Sequence, residues 1–242
     1  MRSLLWIAAC CAFSACQGAL NSLPDVEPGD ASYRDSGIYP CDAATADAGN
    51  PPDAGSTLRL MTWNAENLFD HLDDPKKEDT VLTPEAAETK LNLVATAVRE
   101  QAPDILAIQE TENLELLTSL GSRVDLPHVA LVRSYDFRGI NVGVASRFPI
   151  TQTVSHLGEY LYAPGGAGPY RWARDCLEVH VSGPQGPLVV LVNHQTSKLD
   201  TAAGDAKRQA QSRRTREIAD RLRAEAPTRP VFIVGDMNDE PD

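Results

Sequence analysis

Four apolar runs in this sequence each end on a side chain that is costly to bury. Residues 58–64 alternate and close on Asn64, and 104–110 close on Glu110. Residues 188–194 close on His194, and 231–236 close on Asp236, with Asn238 two positions further on. Runs of this length, rich in Val, Ile and Leu, are predicted strands. A sheet carries such ends to a common edge, so residues far apart in sequence converge on one cleft. The chain between the runs supplies helices. Thr83-Pro84-Glu85 is a helix start, with a capping hydroxyl, a proline in the first turn and an acid at the positive end of the dipole. Leu91, Val94, Ala95 and Val98 then share one helical face. A short helix carrying Leu114, Leu117 and Leu120 follows Glu110, and 206–226 is a long helical stretch in which bases outnumber acids. Further strands are predicted at 129–133, 141–146 and 177–181, the last joined to the 188–193 run by a turn at 183–187. The pattern is a single α/β domain beginning near Leu58, without internal repeats.

The first 57 residues read differently. Arg2, an apolar run over 4–13 and the small residues Ser14 and Ala15 have the layout of a secretory signal over 1–15, too short to span a bilayer. Phe13-Ser14-Ala15-Cys16 resembles a bacterial lipobox, with Phe13 where leucine is usual, which makes Cys16 the candidate lipidated residue. The other reading is an ordinary signal cut near Ala15. Residues 16–57 hold five prolines and seven acids (Asp25, Glu27, Asp30, Asp35, Asp42, Asp47 and Asp53) against Arg34 alone. Such a segment buries too little apolar surface to offset its ordering entropy, so it is expected to be a disordered tether. Much of the formal charge of −12, from 34 acids and 22 bases, lies in it. That charge excludes a histone-like mode of nucleic-acid binding for the whole chain. The five cysteines include no CxxC pair and fit no zinc pattern. An extracytoplasmic address permits a Cys41–Cys176 bridge, but Cys176 lies in a run that reads as a core strand and is expected to be a thiol.

At the strand ends, a carboxylate suits a hard cation such as Mg²⁺, which prefers oxygen ligands. A second acid can orient or deprotonate water, while amides and an imidazole can donate to phosphate oxygens. Each residue taken singly has a plainer role. Asn64 could be a strand-end turn residue, Glu110 an acid at a helix start, and His194 a hydrogen-bonded core histidine. Lys198, Lys207, Arg208, Arg213, Arg214 and Arg216 either steer phosphate or form a solvated helix face. The stretch 160–170, with Tyr160, Tyr162 and Tyr170, is either a surface loop or a stacking platform.

Four motifs in one order favour the shared site: Thr62-Trp63-Asn64-Ala65-Glu66-Asn67, Asp104-Ile105-Leu106-Ala107-Ile108-Gln109-Glu110, Val192-Asn193-His194-Gln195-Thr196-Ser197-Lys198 and Gly235-Asp236-Met237-Asn238. Together they resemble the endonuclease/exonuclease/phosphatase superfamily, the deoxyribonuclease I-like fold, from about Leu58 to the last residue. The segments around Arg138-Gly139-Ile140-Asn141 and Arg174-Asp175-Cys176 resemble family segments as well.

The resemblance implies a two-sheet α/β sandwich over 58–242 and a role for each matching residue. Glu110 is the principal metal-ligand carboxylate, with Asn64 beside the metal. Asp236 positions or activates the attacking water, and Asn238 holds this acid or the scissile phosphate. His194 is the phosphate-side histidine, and Arg174 a substrate contact. Family members continue past the Gly-Asp-Met-Asn motif into further strands and an Asp-His pair, so the sandwich is expected to lack its last strands. A fragment, a truncated product or a degenerate binding module would each account for that. The expected activity is Mg²⁺-dependent phosphodiester hydrolysis, with Mn²⁺ or Ca²⁺ as alternative ions. The expected protein is a secreted or lipid-anchored bacterial monomer with nucleic acid as first-choice substrate. The alternatives are a phospholipid or inositol-phosphate esterase and a non-catalytic phosphate-binding module.

Overall fold

A computed structural model describes residues 8–9, 57–198 and 201–239. The signal, lipidation and tether readings, and Cys41, fall on residues outside these, save for Ala8, Ala9 and Thr57.

The elements run β1 (Ala8–Ala9), β2 (Leu60–Leu68), α1 (Pro84–Gln101), β3 (Ile105–Thr111), α2 (Leu114–Arg123), β4 (His128–Leu131) and β5 (Asn141–Ser146). They continue with β6 (Ile150–Val154), β7 (Tyr160–Leu161), β8 (Tyr170–Arg171), β9 (Cys176–Gly183), β10 (Gly186–His194), α3 (Ala202–Glu225) and β11 (Val231–Asp236). One sheet has the order β1-β2-β3-β5-β4 and the other β11-β10-β9-β6, while β7 and β8 pair as a separate ribbon. The sheets stack face to face, α1 and α2 cover the outside of the first, and α3 covers the outside of the second.

Strand alternation produces this layering. In β3, Leu106 and Ile108 join the core under α1 and α2, while Ile105 and Ala107 join the core between the sheets. In β10, Val190 and Val192 face the other sheet, while Val189 and Leu191 face α3. Both faces of these strands are covered, which is why they read as continuous apolar runs. Leu117 and Leu120 of α2 are fully buried, and each such side chain contributes roughly 1.5–3 kcal/mol of burial.

The helices begin where capping chemistry allows. Thr83 caps α1 through a hydrogen bond from Ala86 N, with Pro84 at its first position. Asn113 caps α2 by accepting from Leu116 N. Thr201 caps α3 by accepting from Gly204 N, so this helix begins before the 206 expected from its apolar residues. The first half of its inner face is largely polar. Thr215 donates to Asn193 Oδ1 at 2.9 Å, Gln211 Oε1 accepts from Thr196 N at 2.9 Å, and Arg208 donates to Ser197 O at 3.1 Å. Through these bonds α3 fixes the segment that follows β10. Cys176 is a buried free thiol at the start of β9, as its strand setting predicted. The 160–170 stretch is anchored by the β7–β8 ribbon, with the Arg171 guanidinium 4.3 Å above the Tyr160 ring.

Candidate active site

The row of residues facing the space between the sheets begins apolar and ends polar. In β2 the row contains Leu60 and, two steps of two further on, Asn64; in β10 it runs Leu188, Val190, Val192, His194; in β11 it runs Phe232, Val234, Asp236. The inter-sheet core therefore opens at one end into a cleft lined by Asn64, His194 and Asp236. His194 and Asp236 are direct partners in the parallel β10–β11 pairing.

Glu110 does not follow this rule. Alternation would place it with Leu106 and Ile108 under the helices. Its backbone instead takes a left-handed conformation, φ 62°, and the pairing of β3 with both neighbours shifts register here. The irregularity turns the carboxylate round to the inter-sheet side, the re-aiming that bulges commonly perform. Glu66, Asn67 and Asn238 also have positive φ, so four of the six such non-glycine residues among the described ones lie at this cleft. Unusual backbone of this kind is held only where surrounding structure over-determines it, and it clusters at functional sites.

Asn64 links the two acids. Its Nδ2 donates to Glu110 Oε1 at 3.2 Å and to Asp236 Oδ2 at 3.0 Å, while its Oδ1 accepts from Glu66 N at 2.9 Å. Asn64 therefore turns its N–H groups, not its oxygen, toward the carboxylates. Glu110 Oε2 accepts from Asn67 N at 3.0 Å. Asp236 Oδ1 accepts from the backbone N–H of Asn238 at 2.9 Å, and the Asn238 side chain donates to Gln195 O at 2.9 Å. Gly235, just before the acid, has φ 127°, and a Cβ there would fall 1.9 Å from Asn193 O. Only glycine lets β11 approach β10 closely enough to present Asp236.

His194 is 3% exposed, with Nε2 3.8 Å from Glu110 Oε1 and 3.7 Å from Asp236 Oδ2. Burial, and after it the positive charges of Arg174 and Arg138, hold its pKa well below the usual imidazole range. The ring is neutral at pH 7, and the carboxylates on either side of Nε2 favour the proton on that nitrogen. Nδ1 has no hydrogen-bond partner among the described residues.

Five of the six residues singled out in the sequence meet in this cleft. The sixth, Arg174, lies behind the cleft. It is buried, and it donates from Nε to His194 O at 3.2 Å, from Nη2 to Gln195 O at 2.7 Å and from Nη1 to Asp136 Oδ2 at 2.7 Å. Two of these bonds hold the end of β10 from behind, and the third ties it to Asp136 in the β4–β5 connection. Two cleft residues were missed in the sequence: Asn67, which holds Glu110, and Arg138, whose Nη1 donates to Asn67 Oδ1 at 3.3 Å. The signal for Arg138 was present, since it opens the Arg-Gly-Ile-Asn segment, but nothing in the sequence places that loop over Glu110.

Among the described residues no three His, Cys, Asp or Glu side chains are grouped as a metal site, but the cleft holds two carboxylates of the kind a divalent cation takes. Two carboxylates meet around a neutral amide and a neutral imidazole, leaving the cluster with surplus negative charge and oxygen ligands of the type hard cations take. Glu110 and Asp236 are the groups able to hold one.

Helices on both outer faces of two stacked sheets, with acids, amides and an imidazole gathered where the strands end, define a two-sheet α/β sandwich with a polar cleft at one end of its inter-sheet core. The chain belongs to the Endonuclease/Exonuclease/phosphatase family, whose model matches residues 59–242. No curated protein matches the sequence significantly. Among solved structures, the human Nocturnin catalytic domain with bound sulfate is similar at 17% identity and a TM-score of 0.54, over 76% of this chain and 66% of that one. The beta hairpin deletion mutant of beta toxin from Staphylococcus aureus is similar at 17% identity and 0.53, over 76% and 68%. TDP2 from Caenorhabditis elegans is similar at 21% identity and 0.50, over 76% and 48%. The chain thus spans about half the length of the TDP2 structure. These likenesses establish the deoxyribonuclease I-like sandwich fold.

Proposed function

We propose that this protein hydrolyses phosphodiester bonds with the help of a divalent cation, Mg²⁺ first among candidates, and that nucleic acid is its principal substrate class. The observation that carries the reading is the convergence of Asn64, Glu110, His194 and Asp236 at one end of the inter-sheet core, from four strands widely separated in sequence. Glu110 would hold the cation, which would supply charge neutralisation for the phosphate oxygens.

The chain's own residues account for the other requirements. Asp236, fixed by Asn64 and by the backbone of Asn238, accepts the proton of the attacking water as its oxygen bonds to phosphorus, and the ester oxygen departs on the opposite side and takes a proton from solvent. Neutral His194 donates from Nε2 to a non-bridging oxygen, where negative charge grows. Asn64 keeps the two acids at a fixed separation. Arg174, behind the strand end, sets where His194 sits. We further propose that the domain works outside the cytoplasm as a monomer, carried on the 16–57 tether from a lipidated Cys16. The lipobox-like run at 13–16 supports this.

The test is hydrolysis of bis(p-nitrophenyl) phosphate and of plasmid DNA by the 242-residue chain, with Mg²⁺ and with chelator. Activity should require the metal and fall about 10²- to 10⁴-fold in Asp236→Ala. Metal-independent cleavage, undiminished rates in the variant, or no cleavage by the folded protein would each overturn the reading.

A further inference from the structure

The segment joining β4 to β5 buries polar side chains and displays aromatic ones. Ser134 and Asp136 are buried, whereas Tyr135 and Phe137 are 53% and 52% exposed. Hydrogen bonds impose this arrangement. Ser134 N donates to Asn141 Oδ1 at 2.6 Å, Ser134 Oγ to Ile140 O at 2.8 Å, and Asp136 N to Ser134 Oγ at 3.2 Å. From the other side Lys77 Nζ donates to Ser134 O at 3.1 Å and to Asp136 O at 2.7 Å, and Glu78 N donates to Phe137 O at 2.8 Å. Asp136 Oδ2 accepts from Arg174 Nη1 at 2.7 Å, and its Oδ1 accepts from Arg138 N at 3.0 Å. A single exposed ring is common on a protein surface. Two rings held out by one pinned segment form a preorganised contact surface, with little entropy left to lose on binding.

The segment ends at the cleft. Arg138, next to Phe137, donates from Nη1 to Asn67 Oδ1 at 3.3 Å, and Asn67 N donates to Glu110 Oε2 at 3.0 Å. One residue therefore separates the guanidinium from the central acid of the site. The Arg138 side chain is 34% exposed, and its Nη2 makes no hydrogen bond among the described residues. The other flank of the segment is acidic. Arg133 and Gly139 line a cavity of about 600 Å³ whose walls carry Asp70, Asp73, Asp74, Asp79, Glu112 and Glu115. These acids disfavour an anionic lipid surface laid across the segment, and they confine a polyanion to the Arg138 side.

We propose that residues 135–138 form a nucleotide-holding rim of the cleft, where Arg138 takes a phosphate flanking the scissile one and Phe137 and Tyr135 stack on unpaired bases. The assignment deepens the proposed function and rests on it for the identity of the cleft. It narrows the substrate to single-stranded nucleic acid, because bases in a duplex stack on one another and hide the faces that the rings would meet.

The experiment is fluorescence anisotropy of a labelled oligothymidylate titrated with the full chain, at low salt and with chelator present. Binding is then read without metal and without turnover. The comparison probe is an oligomer of equal length in which abasic sites replace the bases. Phe137→Ala and Tyr135→Ala should each weaken oligothymidylate about tenfold and leave the abasic oligomer unchanged. Phe137→Trp should retain most of the affinity. Arg138→Gln should weaken both oligomers alike and reduce the salt slope by about one. Leu93→Ala, on the exposed face of α1, should change neither. Tyr135 and Phe137 are displayed, so their substitution leaves the fold intact, which circular dichroism checks. Equal affinity of the wild type for the two oligomers, failure to bind oligothymidylate, or undiminished binding in both alanine variants overturns the rim. A second arm offers vesicles of phosphatidylcholine and phosphatidylglycerol. Vesicle binding that Phe137→Ala abolishes, with oligothymidylate binding untouched, overturns it in favour of a lipid surface. Metal-dependent diester hydrolysis alongside any of those results would leave the proposed function standing. Base-dependent binding without hydrolysis would leave the rim standing and remove the proposed function.

Discussion

Replacing His156 by glutamine should destabilise the protein in acid and neutral solution and have little effect in alkali. His156 is buried, with Nδ1 3.0 Å from Glu159 Oε1 and Nε2 3.2 Å from Glu178 Oε2. Glu178 also receives His180 Nε2 at 2.7 Å and Arg221 Nη2 at 2.8 Å, and Glu159 receives Arg214 Nε and Nη2, both at 2.8 Å. The imidazolium is thus the centre of a network tying β9 and the β6–β7 connection to α3. Burial opposes its charge, but the bonds to Glu159 and Glu178 more than offset that and raise its pKa from 6.5 to about 9. At about 1.4 kcal/mol per pKa unit, the rise is a stabilisation of about 3 kcal/mol. The folded protein holds this proton more tightly than the unfolded chain does. Stabilisation is therefore complete below about pH 6.5 and is lost as the pH climbs through about 9. Asp175, pushed up to about 6 by burial, and Glu112, pushed up to about 7 by burial, also titrate. Glu112 does not depend on His156 and cancels in the difference, whereas the His156 charge lowers the Asp175 pKa, so that coupling is part of the gap. Urea unfolding followed by circular dichroism at about pH 6, 7.5 and 9.5 gives the free-energy gap between wild type and His156→Gln. The gap should shrink by about 3 kcal/mol across that range. A gap that stays constant, or widens with pH, would refute the reasoning.

Arg174→Ala should lower stability by about 3–5 kcal/mol, because it takes the guanidinium from the buried Asp136 carboxylate and a donor from each of two backbone carbonyls. A thermal midpoint lowered by roughly 10 °C would bear this out, and an unchanged midpoint would not. Gly235→Ala, whose new Cβ has no room against Asn193 O, should fail to accumulate as folded protein. Near-normal soluble yield with a native circular dichroism spectrum would contradict it.

Much of the site was legible because alternation is rigid. Once Leu188, Val190 and Val192 are placed in the inter-sheet core, His194 must follow them, and Asp236 must follow Phe232 and Val234. Glu110 was identified from its motif, but its direction was not readable, since alternation alone sends it to the wrong face and the correction lies in one backbone dihedral. Arg174 shows a different limit. A cation in a motif reads the same whether it is displayed or buried, and only packing shows that its guanidinium is buried against two carbonyls and Asp136. The strand β6 went unread because it is short and follows Pro149 closely. The β7–β8 ribbon, two residues a side, is below what periodicity can detect. The early start of α3 was hidden because its first turn carries Gly204 and no apolar stripe.

The pairing of His194 with Asp236 in adjacent strands has a consequence for how such a cleft can diversify. The backbones that carry the two groups are about 4.8 Å apart because all neighbouring strands are, whatever side chains they bear. Substitution can exchange the chemistry presented at these positions while their spacing is inherited unchanged. Altering the spacing would mean sliding one strand past another, which by the two-residue repeat would send Val234 and Asp236 to the opposite face and expose the core with them. Descendants of this chain are therefore free to vary what the cleft acts upon, through the loops and bases at its rim, far more readily than the distance over which it acts.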